Sequence, residues 1–256
     1  MTDDFTTQPW PKLRDVVLDM LSLARPLTCH GAMEADITEA LALIRARRRQ
    51  DRQPVSLHAF LLHALAHAAA ECPEVLTFRH GRRLVTFRDA DVATVVDRRQ
   101  PDGTRLPMGL TIRAAQTKTV MQIHDELRAA IRGDLTRTAE VKRRRMLGRL
   151  PKFLRKLILR RIAQDPHLLR RVQGTIGLTS LQRPGLDFPF TAFPPNVFTI
   201  TVAVGGIARR PCPEGGPPRH VVLLGGAMDH AVLDGAALAR FSVALRRRIA
   251  SAEGLR

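Results

Sequence analysis

Residues 229–241 read Asp229-His230-Ala231-Val232-Leu233-Asp234-Gly235 followed by AALARF. This puts a histidine between a hydrophobic run, HVVLLGGAM at 220–228, and a stretch from Gly235 to Ala250 that carries arginines near its end. The run predicts a strand, and the stretch predicts a helix whose last turns hold cations that suit the helix dipole. A histidine at a strand end, on a connection shaped by glycine, has rigid support and access to a substrate, as a general base requires. Asp234 has two readings on residue type alone: a carboxylate that orients a partner, or the N-cap of the following helix.

Moving upstream, VFTITVAVGGI (197–207) and TIGLTSL (175–181) are β-branched or apolar and bounded by Gly or Pro, so both predict strands. LVTF (84–87), DVATVV (91–96) and LPMGLTIR (106–113) predict three more, the last two joined by a turn at Pro101-Asp102-Gly103. Helical spacing marks Val16–Leu23 between Pro11 and Pro26, and Val120–Ile131. Asp36 and Glu39 form a capping-box pattern ahead of Ile37, Leu41 and Ile44. The stretch LHAFLLHALAHAAAE (57–71), opened by Ser56, is apolar nearly all round and is expected to be a central, buried helix. Helices and strands mix without a regular βαβ rhythm, and no glycine-rich phosphate loop is present. An α+β sandwich is therefore expected rather than a doubly wound sheet.

The chain has 256 residues, enough for a packed core without staples. It carries 41 Lys/Arg against 24 Asp/Glu, a net charge of +17 that favours an anionic partner. Aromatics are 4% of residues, with no Tyr, so stacking platforms for bases are scarce and nucleic acid is not the expected partner. Cys29, Cys72 and Cys212 show no CxxC spacing and imply neither disulfides nor zinc, which fits a cytoplasmic location. Twelve Lys/Arg against the single acid Asp165 fall within 141–172, a basic helical insert in an otherwise single domain spanning 1–256. Within it Phe153, Leu154, Leu157, Ile158 and Ile162 form an apolar stripe, with Arg155, Lys156, Arg160 and Arg161 on the other side. The ordinary reading packs the stripe on the domain. Binding of a phosphate-bearing ligand, docking of an acidic chain, and a membrane surface are the other readings.

DHAVLDG resembles the HHxxxDG signature of chloramphenicol acetyltransferases and its DHRxxDG form in the catalytic domains of the 2-oxo acid dehydrogenase dihydrolipoyl acyltransferase family. GTIGLTSL (174–181) is similar to that family's GTFTISNLG strand, and FPPNVFTITVAVGGI (193–207) to its NPPxxAILGVG strand. DGTRLPMGLTIRAAQTKTVMQIHDEL (102–127) resembles its DGLxVPVIRxA segment and following helix, and MEADIT (33–38) its xxVDVT helix opening. The blocks run in family order over roughly residues 11 to 250.

The resemblance implies an α+β, chloramphenicol-acetyltransferase-like two-layer sandwich of a mixed sheet and helices. It implies an acyltransferase moving an acyl group between coenzyme A and a thiol such as dihydrolipoamide. His230 would be the general base, Thr179 the hydroxyl that stabilises the oxyanion across a subunit interface, and Asp234 an anion paired with an arginine. Arg14 is the first candidate for that arginine and Arg25 the second. His30 is a candidate lining of the active-site channel. The implied assembly is a homotrimer or a multiple of trimers, with an acidic lipoyl carrier or dehydrogenase subunit as partner. Because the first matching helix begins near residue 11, the lipoyl group is expected on another chain.

This chain departs from the family pattern at Ala231, where the acyltransferases carry arginine, and at Ser180 and Gln182, where they carry asparagine and glycine. An O- or N-acetyltransferase using acetyl-coenzyme A, or a non-catalytic assembly or membrane-docking module, are the alternatives. His63 and His67 stand four apart on one helical face but lack the glutamate of HExxH, so ordinary packed histidines, and no metal, are expected.

Overall fold

The computed structural model describes residues 19, 27–50, 54–99, 105–132, 146, 147, 149–212 and 215–256. Six strands make one sheet: β1 (Thr28–Asp36), β4 (Val92–Arg99), β5 (Arg105–Ile112), β6 (Ile176–Ser180), β7 (Ile200–Arg210) and β8 (Arg219–Asp229). Their order is β1-β8-β7-β6-β4-β5, with β6 parallel to both β4 and β7 and the other pairs antiparallel. β2 (Thr77–His80) and β3 (Arg83–Thr86) form a separate hairpin. The sheet is mixed and the helices segregate to its faces, as expected for this α+β class.

One face packs on α1 (Thr38–Gln50), α2 (Leu57–Glu71), α3 (Val120–Arg132) and α6 (Gly235–Ala250). Phe60, Leu62 and Leu65 of α2, Ile123 of α3 and Phe241 of α6 meet Val92, Val96, Leu178, Val202 and Leu224 of the sheet. Each such side chain contributes about 2 kcal/mol by leaving water. α2 is the buried helix its composition predicts: the Ser56 hydroxyl oxygen accepts the Ala59 N–H at 3.2 Å to start it, and Pro73 follows its end.

The other face holds α4 (Lys152–Gln164) and α5 (Pro166–Val172), the described helical part of the basic insert. Asp165 separates them and caps α5, accepting the His167 and Leu168 N–H groups. The apolar stripe expected on α4 is split: Leu154, Ile158 and Ile162 are half-buried, but Phe153 is 75% and Leu157 63% exposed. Leu159 and Arg155 are buried instead, and the Arg155 Nε donates to Asp19 at 2.5 Å. A partner 136 residues away thus turns a charged position inward, which helical periodicity cannot foresee.

Beside α4, residues 186–193 cross β7 and β8 in backbone contact. The Gly206 N–H donates to the Phe190 carbonyl at 2.7 Å, and a β-carbon at Gly205 would stand 1.9 Å from that same oxygen. Only glycine admits this approach. A register shift in β7 between Val204 and Ile207 accommodates it.

Two strands went unread in the sequence. β1 has no alternation of apolar residues and lies at the sheet edge, held by its backbone pairing to β8. β2 is only four residues long. The Asp36–Glu39 capping box does not form. Asp36 ends β1 and accepts the Thr38 N–H at 2.8 Å, while the Glu39 carboxylate takes a hydrogen bond from Arg256 at 2.6 Å. The expected turn at 101–103, and the helix between Pro11 and Pro26 apart from Asp19, lie outside the described residues.

Candidate active site

His230 follows the last residue of β8 on a turn fixed from several sides. Its own N–H donates to the Leu27 carbonyl at 2.8 Å, and the Asp229 N–H to the Thr199 carbonyl at 2.9 Å. The buried Asp229 carboxylate accepts the Ala231 N–H at 3.0 Å, and the Asp229 carbonyl accepts the N–H groups of Val232 and Leu233. Leu233 is buried as the anchor on the far side, and Asp234 then caps α6 by accepting the Ala237 N–H at 2.7 Å. The backbone is therefore rigid while the His230 side chain stays exposed. A groove of ≈ 530 Å³ runs beside this turn, lined by Leu27, Arg79, His80, Arg161, Gln164 and Asp229 among others. Arg161 belongs to α4, so the basic insert supplies a cation next to the histidine connection.

Thr179 lies near the end of β6. Its neighbour Leu178 belongs to the core beneath α2, so Thr179 points to the opposite face, toward α4. Two cavities meet at this residue. One of ≈ 240 Å³ is apolar and roofed by Leu147, Leu159 and Ile162; the other, of ≈ 390 Å³, is lined by Ser56, His58, His124, Arg128, Ser180 and Arg183 among others.

Within one chain His230 and Thr179 are far apart. Thr179 is level with Ala203 on β7, which is level with Gly225 on β8, five residues before His230. Strand geometry separates them by about 16 Å along the sheet and about 10 Å across it. Thr179 is level with the middle of β7 and β8 while His230 lies just past the end of β8, so no single carbonyl touches both.

The remaining predicted positions scatter. Asp234 acts as the N-cap of α6, the second of its two readings; Arg14, its first candidate partner, and Arg25 lie outside the described residues. His30 is exposed on β1 and packs edge-on against Phe193 at 5.4 Å, while Cys29 lines a cavity against α6. His63 and His67 stack with ring centroids 4.2 Å apart, and burial lowers the pKa of both. Among the described residues no group of three or more His, Cys, Asp or Glu is placed to hold a metal ion.

The sequence reading missed His58, which lines the larger cavity at Thr179. Its Nε2 is 2.9 Å from the Thr94 hydroxyl, and its Nδ1 is buried without a partner among the described residues. The signal was a polar residue in the first turn of an otherwise apolar helix. Burial lowers its pKa from 6.5 to about 4. The unfolded chain takes up this proton below about pH 6.5 and the folded chain only near pH 4, so the stabilisation is complete above that window and lost as pH falls through it. The loss from this group is on the order of 3 kcal/mol. Urea midpoints between about pH 7 and about pH 4 should fall, and His58→Leu should remove this share of the fall while His63, lowered to about 4 as well, keeps its own. Equal slopes would place the acid sensitivity elsewhere.

The comparisons with known proteins accord with this architecture. The family model of the 2-oxoacid dehydrogenases acyltransferase (catalytic domain) matches residues 2–148. No curated protein matches the chain. Among solved structures, the fold is similar to the cubic core of the pyruvate dehydrogenase multienzyme complex, at 21% identity over 99% of this chain and 95% of that one, TM-score 0.69. It is similar to an Azotobacter vinelandii dihydrolipoamide acetyltransferase, at 22% identity over 99% and 95%, TM-score 0.69. Chloramphenicol acetyltransferase aligns at 15% identity over 97% of this chain and all of that one, with a TM-score of 0.50. At these identities the likenesses establish the fold.

Proposed function

This chain belongs to the 2-oxoacid dehydrogenase acyltransferase (catalytic domain) family, and from that premise we propose that it transfers an acyl group between coenzyme A and a thiol such as dihydrolipoamide. His230 of one protomer is the general base, and Thr179 of a neighbouring protomer donates to the oxyanion. The carrying observation is that an exposed histidine on a rigid turn and a threonine beside two cavities belong to one sheet but stand about 16 Å apart along it. A second copy, docked so that its Thr179 meets the His230 of the first, supplies one complete site from two halves.

The chemistry follows from the groups present. The acceptor thiol gives its proton to the imidazole as its sulfur bonds to the thioester carbon, and the carbonyl π pair moves onto oxygen. The Thr179 O–H donates to that oxygen while it carries negative charge. When the carbonyl re-forms, the departing thiolate takes the proton back from the imidazolium, so the enzyme is unchanged. An imidazole nitrogen can both accept and return a proton, which suits both transfers. The groove that Asp229 and Ala231 of the turn line together with Arg79, His80 and Arg161 favours an anionic substrate portion such as the coenzyme A phosphates.

The net charge of +17 suits an acidic lipoyl carrier or dehydrogenase subunit as partner. A homotrimer, or a multiple of trimers, is the assembly this reading requires. No helix among the described residues is long and apolar enough to cross a membrane. The alanine at 231, where the acyltransferases of the family carry arginine, favours a second reading, transfer to an alcohol or amine. The test is release of free coenzyme A from acetyl-coenzyme A with dihydrolipoamide as acceptor, together with the mass of the protein in solution. Turnover by an oligomer is expected. Turnover only with non-thiol acceptors would install the second reading, and an active monomer would remove the shared site.

A further inference from the structure

The face of the sheet that carries Thr179 is not closed. Val95 of β4 lies alongside Thr179, one residue beyond the Thr94–Leu178 rung, and is 47% exposed. Its partner across β5 is Gly109, whose missing side chain leaves a space between the strands and α4. Leu159 and Ile162 of α4, with Leu147, roof that space, and Leu147 and Leu159 are buried against it. The result is an apolar cavity of ≈ 240 Å³ whose wall includes Thr179. Most of its exposed wall is apolar, so displacing the water it holds with an aliphatic chain is favourable.

We propose that this cavity receives the acyl chain of the thioester, so that the protein selects aliphatic acyl groups of several carbons over acetyl. The inference rests on the preceding reading in one respect, that Thr179 meets the reacting carbonyl. The chain bonded to that carbonyl then lies within reach of the cavity, whose wall includes Thr179 and Val95. Acetyl presents a single methyl group and leaves most of the volume empty. Each methylene added inside should improve binding about fourfold, until the cavity is full. α4 thereby gains a role in specificity: its inward face shapes the acyl cavity while its Arg161 borders the groove at the Asp229–Ala231 turn.

The experiment compares acetyl-, butanoyl-, hexanoyl- and octanoyl-coenzyme A as donors to dihydrolipoamide with the full chain. In parallel, calorimetry compares the unreactive thioethers S-ethyl- and S-hexyl-coenzyme A. The expected result is a kcat/KM that climbs about fourfold per methylene to hexanoyl, and S-hexyl binding about two orders of magnitude tighter than S-ethyl. Gly109→Val and Leu159→Trp each fill the cavity, and in either folded variant the hexanoyl-to-acetyl ratio should collapse toward one. Equal use of all donors, or ratios unmoved by both substitutions, would overturn the proposal. If no donor is turned over, the catalytic reading fails, and the calorimetry still decides the cavity: chain-length-dependent affinity lost on filling supports it, and equal affinities reject it.

Discussion

His230→Ala is expected to lower kcat for transfer to dihydrolipoamide by about 10² to 10⁴-fold, the usual contribution of a positioned general base. The turn is built from backbone hydrogen bonds and from the buried Asp229 and Leu233, none of which uses the imidazole. The variant should therefore fold and bind substrates as before, and the loss should appear in kcat rather than in KM. Thr179→Ala should cost about 10² to 10³-fold, the value of one oxyanion donor.

The decisive measurement mixes the two variants. With the groups about 16 Å apart along the sheet of one chain, neither variant protomer holds a complete site, but an interface that pairs an intact His230 with an intact Thr179 does. Random reassembly after dissociation makes such pairs at about a quarter of all interfaces, so about a quarter of wild-type activity should return. A mixture no more active than its parents would show that the two residues do not share a site across protomers.

Asp91→Ala is expected to have the largest effect on stability. Asp91 is 2% exposed at the start of β4, and its carboxylate accepts the Ala114 N–H at 2.8 Å, Arg113 Nη1 at 3.1 Å and Arg170 Nε at 2.9 Å. Its backbone joins the same knot: the Asp91 carbonyl accepts the Thr175 N–H at 2.8 Å, and the Asp91 N–H donates to the Thr175 hydroxyl oxygen at 2.9 Å. One residue therefore ties the end of β5, α5 and the start of β6 to β4. Removing one member of a buried ion pair costs roughly 3–5 kcal/mol. Both arginines are partly in water, so the lower end, about 3 kcal/mol, applies. Asp91→Asn keeps an oxygen for the Ala114 N–H and should cost markedly less. Urea unfolding reads both, and an Asp91→Ala midpoint equal to wild type would refute the account.

The parts of the fold legible in the sequence are those where local pattern and final environment agree. Leu57–Glu71 is apolar all round because every side of that helix meets protein, and β6, β7 and β8 are β-branched because they run through the middle of the sheet. Where an element answers to a distant partner the pattern misleads. β1 is a strand because the edge of β8 needs one, although TCHGAMEAD lacks a strand's alternation. Arg155 is buried because Asp19 meets it, and Phe153 is left outside. His58 gained its place in the candidate site through Thr94, a contact 36 residues away.

By itself the sequence determined the chemical groups and their local settings: a histidine after a strand, an aspartate and glycine opening a helix, a threonine in a short strand. It also carried the resemblance to the family, whose model matches residues 2–148. Only the tertiary structure decided that His230 and Thr179 stand about 16 Å apart along the sheet, that α4 roofs a cavity beside Thr179, and that Arg161 borders the groove at the Asp229–Ala231 turn. The reason is that side-chain type and local periodicity act within a few residues. Strand direction, register and helix docking are set by hydrogen bonds and packing between segments far apart in the chain, and these decide which groups share one volume of space.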